Sequence, residues 1–148
     1  MGTLRPNDCD FCAIAQELDP TARVVAESAH WIAFLPRKPA TPGHTLIIPR
    51  QHVADLWSVD ESTGAELMRA VIRVGRAIVQ ALGPEGMNLI TSSGRAAEQT
   101  VFHLHLHVVP RWSNDGFGRI WPPQHGMEAV LQEHVLDDIR RAYSSFLC

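Results

Sequence analysis

Several things are scarce in this sequence, and each scarcity narrows the range of functions. Cysteine appears only as Cys9, Cys12 and Cys148 in 148 residues. Three thiols so unevenly placed do not form the disulfide framework of a small secreted protein. No apolar run approaches the roughly 20 residues needed to span a bilayer, and no charged segment leads into a secretory apolar core at the amino terminus. The expectation is a cytoplasmic protein with no membrane partner. Positive charge is short as well: 13 Lys and Arg stand against 16 Asp and Glu, a formal net charge of -3. That balance offers no footprint for a nucleic-acid polymer, although a local cationic pocket for a small anion stays open. Internal repeats, low-complexity tracts and linkers are absent too.

What is present suits one domain over residues 1–148, because 45% hydrophobic residues can build a sizeable core at this length. A short helix is expected around residues 11–18, stopped by Asp19-Pro20. Strands are expected over 22–27 and 31–35. Three prolines and a glycine make 36–43 a loop, which delivers the chain into a strand over 44–48 that stops at Pro49. Ser58 and Glu61 read as a capping box for a long helix carrying Leu67, Met68, Val71, Val74, Ile78 and Leu82 on one stripe, with Gly83 as its stop. A strand over 87–91 and a polar turn over 92–98 follow. The carboxy-terminal region is less diagnostic: a loop, then a helix over about 128–146 with Val130, Leu131, Val135, Ile139 and Phe146 as its apolar contacts.

Residues 101–109 carry the most chemistry. As a strand, this segment sends Phe102, Leu104, Leu106 and Val108 to one face and His103, His105 and His107 to the other. Alternate residues lie roughly 6.6–6.8 Å apart, so three imidazoles can share one site while the apolar face anchors the strand. Three readings are open: ordinary satisfied histidines, three metal ligands, or a division in which His105 is a nucleophile, one neighbour tunes it and another is committed elsewhere. The pair Cys9 and Cys12 is likewise open between redox chemistry, unremarkable thiols and a metal chelate.

The run Gln99-Thr100-Val101-Phe102-His103-Leu104-His105-Leu106-His107-Val108-Val109-Pro110 resembles the signature of the histidine triad family of nucleotide hydrolases and transferases. Pro42-Gly43-His44-Thr45-Leu46-Ile47-Ile48-Pro49, with His52 nearby, resembles that family's other common segment. The resemblance runs from Cys9 to Trp112. It implies an α+β fold with an antiparallel sheet and two principal helices, commonly paired as a homodimer. It also implies attack by His105 on the α-phosphorus of a nucleotide or nucleotidyl conjugate, with a nucleotidyl-histidine intermediate. His107, His44 and Thr100 match supporting catalytic positions, and adenylyl compounds are the expected first substrates. In a zinc-containing subset, two amino-terminal cysteines join two distant histidines. Those positions here are Cys9, Cys12, His52 and His103, which implies a structural zinc that holds an amino-terminal arm. No organic cofactor is expected.

Some positions depart from the pattern. Pro36 stands where relatives often carry the Asp or Asn that holds ribose hydroxyls, with Arg37 next to it as a substitute contact. Ser92 takes the place of a side-chain amide near the phosphate, and Glu98 replaces a frequent glycine before Gln99, itself expected at the substrate. These changes keep two alternatives in view: a nucleotide-binding module without turnover, and a metal-dependent hydrolase.

Overall fold

The computed structural model describes residues 9–123, 126 and 128–146; residues 1–8 of the expected arm, His125 and Cys148 lie outside the described residues. The chain divides into two compact units, Met1–Phe117 and Gly118–Cys148.

The first unit is a five-stranded, wholly antiparallel sheet in the order β1-β2-β3-β5-β4. Its strands are β1 (Arg23–Glu27), β2 (Trp31–Leu35), β3 (Thr45–Pro49), β4 (Gly86–Ile90) and β5 (Leu106–Arg111), with helices α1 (Asp10–Ala15) and α2 (Glu61–Leu82). Both faces of the central strands are covered. Against one face, α2 buries Leu67, Ala70, Val71, Val74 and Ile78 on Trp31, Ala33, Ile47, Leu104, Leu106 and Val108. On the other, Ile14 and Ala15 of α1 pack with Ile32, Phe34, Leu46 and Ile48. This two-sided burial is why β3 reads as a continuous apolar run, TLIIP, with no alternation.

The long helix starts two residues later than Ser58 suggests. Asp60 is the N-cap, accepting from the Thr63 backbone N–H at 2.9 Å and the Thr63 hydroxyl at 2.7 Å, whereas Ser58 bonds to Asp55. Gly83 ends the helix in the left-handed region (φ 57°, ψ 48°), as its place after Leu82 predicts. Met68 and Leu82 fall outside the buried stripe because Met68 is turned about 100° from Leu67 and Leu82 is the last residue of the helix. Helix α1 stops at Ala15, before Asp19-Pro20 takes effect, because Glu17 turns left-handed (φ 60°) and the Leu18 N–H reaches back to Ala13.

The histidine segment differs most from expectation. The regular strand begins only at Leu106 and runs through Pro110 to Arg111. Upstream, the Leu104 N–H donates to the Val53 carbonyl at 2.7 Å, so residues 103–105 are pinned to the chain leaving β3 instead of continuing the ladder with β4. The apolar anchoring still holds, with Leu104 and Leu106 buried in the α2-side core.

The second unit contains α3 (Ala129–Ser144), which buries none of its residues. Val130, Leu131, Val135, Ile139 and Phe146, expected as apolar contacts, are exposed, so this unit builds no core around them. A lone helix has no facing element in its own unit against which to bury a stripe. Among the described residues, no helix is long and apolar enough to cross a membrane.

Candidate active site and metal centre

Two groups of histidines meet at the start of β5. His44, from the turn into β3, and His107, on β5, face each other with His44 Nε2 2.9 Å from His107 Nδ1. The His105 ring centroid is 4.9 Å from that of His107. On the far side of His105, the Phe11 ring of α1 stands edge-on at 5.2 Å.

The surrounding backbone fixes the tautomer of each ring. His105 Nδ1 lies 2.7 Å from the His103 carbonyl oxygen, which can only accept, so Nδ1 carries the proton and Nε2 keeps its lone pair. The Ala40 N–H donates to His44 Nδ1 at 3.0 Å, so the His44 proton sits on Nε2 and points at His107 Nδ1. His107 must therefore carry its proton on Nε2. The result is a directed chain from Ala40 through His44 to His107, next to an imidazole whose lone pair is free.

Burial keeps these rings neutral. It lowers the pKa of His44 and of His105, and it takes His107 down to about 4, where the neighbouring His105 and His44 add repulsion. At neutral pH the site thus offers a neutral nucleophile and a neutral N–H donor.

His103 turns the other way. Its Nε2–H donates to the Pro49 carbonyl at 2.9 Å, leaving the Nδ1 lone pair facing Cys9 Sγ at 3.6 Å and Cys12 Sγ at 3.5 Å. His52 Nδ1 lies 3.2 Å from Cys12 Sγ. All four ligand atoms lie within 4.8 Å of one another. A tetrahedron built with Zn–S of about 2.3 Å and Zn–N of about 2.05 Å has S···N edges of about 3.5 Å, so the observed sulphur–nitrogen spacings match a four-coordinate centre. Without a cation the Cys12 thiol stays protonated: burial, followed by the Cys9 hydrogen bond and charge, pushes it up to about 11. The Pro49 carbonyl that fixes the His103 tautomer is the kind of outer partner metal-bound imidazoles have.

The remaining expected residues are dispersed. Gln99 is buried, and its amide is spent on backbone: its oxygen accepts from Gly94 N–H at 2.8 Å, and its nitrogen donates to Ala54 and Val101 carbonyls at 2.7 and 3.1 Å. Ser92 is half-buried and Thr100 exposed, with no hydrogen bond from either to the histidines. Glu98 is exposed in the left-handed region (φ 65°), the conformation that glycine adopts freely. Arg37 does not reach the histidines; it lines the neighbouring cavity with Phe11 and Leu46 and donates to Asp19. Arg50 and Arg111 are held by their own carboxylate partners, Glu27 and Asp115.

Sequence reasoning missed the groups that position the histidines. Thr91 donates to the His105 carbonyl at 3.0 Å, and Ser93 donates to Asp55 at 2.5 Å, tying the loop after β4 to the loop after β3. Thr91 and Ser93 gave no signal beyond proximity to the polar turn, and a backbone donor such as Ala40 leaves no trace in side-chain identity.

The model of the HIT domain matches residues 17–114. The chain belongs to the HIT family. It is 36% identical over 115 residues to the adenosine 5'-monophosphoramidase hnt1 of Schizosaccharomyces pombe, covering 77% of this chain and 83% of that one. Among solved structures, SMU.412c from Streptococcus mutans UA159 superposes with a TM-score of 0.87 at 34% identity over 97% of this chain and 89% of its own. A Zn-bound histidine triad protein from Mycobacterium smegmatis superposes with a TM-score of 0.71 at 37% identity over 81% of this chain and 86% of that one. The α+β HIT fold expected from the sequence is the fold found, and the Cys/His cluster is one that could coordinate a metal ion.

Proposed function

We propose that this HIT chain is a nucleotidyl hydrolase or transferase that works through a nucleotidyl-histidine intermediate. The observation that carries the reading is the His105 tautomer: its Nδ1–H is held by the His103 carbonyl at 2.7 Å, so the free Nε2 lone pair is aimed by packing and needs no base to expose it. In the first step, Nε2 forms a bond to the α-phosphorus and the bond to the departing group breaks, that group leaving with its electron pair. In the second, water or another acceptor attacks phosphorus, the P–N bond breaks, and the pair returns to Nε2. His107 presents its Nε2–H to a phosphoryl oxygen, and His44 keeps it in that tautomer. Thr100 and Ser92 are assigned to the departing-group side, and Gln99 to holding the loop that presents them.

Cys9, Cys12, His52 and His103 would hold a structural zinc, which would offer no open coordination position and would tie α1 to the loop after β3 and to the histidine segment. The similarity to an adenosine 5'-monophosphoramidase supports adenylyl phosphoramidates as the first substrates to test. A homodimer is part of the same reading.

Rapid quench with an adenylyl phosphoramidate, followed by peptide mass analysis that preserves acid-labile P–N bonds, should trap one adenylyl group on His105. His105→Asn should remove the adduct and lower kcat and kcat/KM together while nucleotide still binds. Normal turnover by a folded His105→Asn protein refutes the assignment.

A further inference from the structure

A cavity of about 370 Å³ opens beside the histidines in the first unit. The sheet register explains its place. Phe34 pairs with Leu46 and Leu46 with His107, so these three side chains form a row on one face of β2, β3 and β5. Phe34 and Leu46 floor the cavity, and Phe11, which also lines it, stands edge-on to both Phe34 and His105. A substrate whose phosphorus meets His105 therefore has this cavity next to it for the rest of the molecule. The apolar floor suits a flat, weakly polar ring system.

The polar wall is unusual. Pro36 lines the cavity at the position where the family resemblance puts a side chain for ribose hydroxyls, and it has neither a polar side chain nor a backbone N–H. Asp19, from the loop between α1 and β1, lines the same cavity. Its side chain is only 16% exposed. Its Oδ1 accepts from the Thr21 N–H at 2.9 Å and the Thr21 hydroxyl at 2.6 Å, and its Oδ2 accepts from Arg37 Nη2 at 3.1 Å. Three bonds fix the carboxylate. A carboxylate offers roughly four acceptor sites, so Oδ2 keeps capacity for one more donor. Arg37, 79% exposed, leans on Asp19 from the solvent side.

We propose that Asp19 is the specificity-determining residue of this cavity, accepting a hydroxyl of a ribose-bearing substrate in place of the group missing at Pro36. The hydroxyl acceptor has moved from the residue after β2 to the α1–β1 loop. The inference rests on the nucleotidyl reading of the His105 site. A hydrogen bond to a charged acceptor, lost when the hydroxyl is absent, changes discrimination by roughly ten-fold or more.

The test uses the full chain with adenosine 5'-phosphoramidate and its 2',3'-dideoxy analogue. The wild-type protein should favour the ribo substrate about ten-fold or more in kcat/KM, chiefly through KM. In Asp19→Ala the preference should fall to within about two-fold, while kcat/KM for the dideoxy substrate stays within about two-fold of wild type, a result that mere loss of structure does not give. Asp19→Asn, which keeps an oxygen for Thr21, should also lose most of the preference and serves if Asp19→Ala folds poorly. No ribo preference in the wild type, a preference that survives both substitutions, or an equal fall for both substrates overturns the proposal. If neither substrate turns over, the chemistry proposed for His105 fails. The Asp19 role is then decided separately by calorimetry with AMP and 2',3'-dideoxy-AMP: an Asp19-dependent difference supports it, and equal binding or none overturns it.

Discussion

Removing the metal should loosen the amino-terminal arm and, through it, the wall of the active site. Helix α1 is held by Ile14 and Ala15 in the second core cluster and by Arg50 Nη1 on the Ala15 carbonyl at 2.6 Å. A metal held as proposed by Cys9, Cys12, His52 and His103 would tie that arm to His52 and His103 as well. A ligand present at a thousand times its Kd stabilises the state it binds by about 4 kcal/mol. For a chain of this size each kcal/mol moves Tm by about 2–4 °C, so chelation or Cys12→Ser should lower Tm by about 8–16 °C. Metal analysis of protein purified without chelator should find about one zinc per chain. Because both thiols must lose protons to bind, zinc added to stripped protein at pH 7 should release up to about two protons per metal. Phe11 touches His105, so stripped protein should also lose kcat/KM, recoverable on zinc addition. Less than a tenth of an equivalent of metal after zinc supplementation, or an unchanged Tm on chelation, refutes the reasoning.

Acid should destabilise the fold through the buried histidines. His107 has a folded pKa of about 4 against an ordinary value of 6.5, so the unfolded chain takes its proton first and stability is lost as pH falls from 6.5 through 4. The loss is on the order of 2 kcal/mol once partial solvent screening is allowed for, and urea unfolding of the wild type against His107→Gln should show a shallower pH slope in the variant. Gly43→Ala should cost about 1–3 kcal/mol and depress kcat, because φ is +82° and the new Cβ would lie 2.4 Å from Leu82 Cδ1, beside His44; urea midpoints and turnover check both. Gln99→Ala leaves Gly94 N–H and the Ala54 carbonyl without their partner and should cost roughly 1–3 kcal/mol, with raised proteolytic sensitivity between Thr91 and Val101 as the local readout.

The sequence by itself determined the element types and which histidines and cysteines come together. Strand-prone runs bounded by Pro, Gly and polar turns located β2, β3 and β4 to within a residue or so, and the 3.6-residue stripe with Gly83 located α2, because these depend on local geometry. The order and spacing of the histidine and cysteine segments likewise named the residues that converge at the two clusters. Only the tertiary structure decided what each imidazole does with its protons. Period alone places His103, His105 and His107 as equivalents on one strand. The Val53 carbonyl interrupts that strand, and three backbone groups, the Pro49 and His103 carbonyls and the Ala40 N–H, divide the rings into a lone pair facing Cys9 and Cys12, a lone pair with no backbone partner and an N–H donor. Every residue carries such backbone groups, so no residue type announces which of them will meet a given side chain. Asp19 was invisible for the same reason: 17 positions from Pro36, it meets the same cavity only after β1 and β2 have folded back on each other.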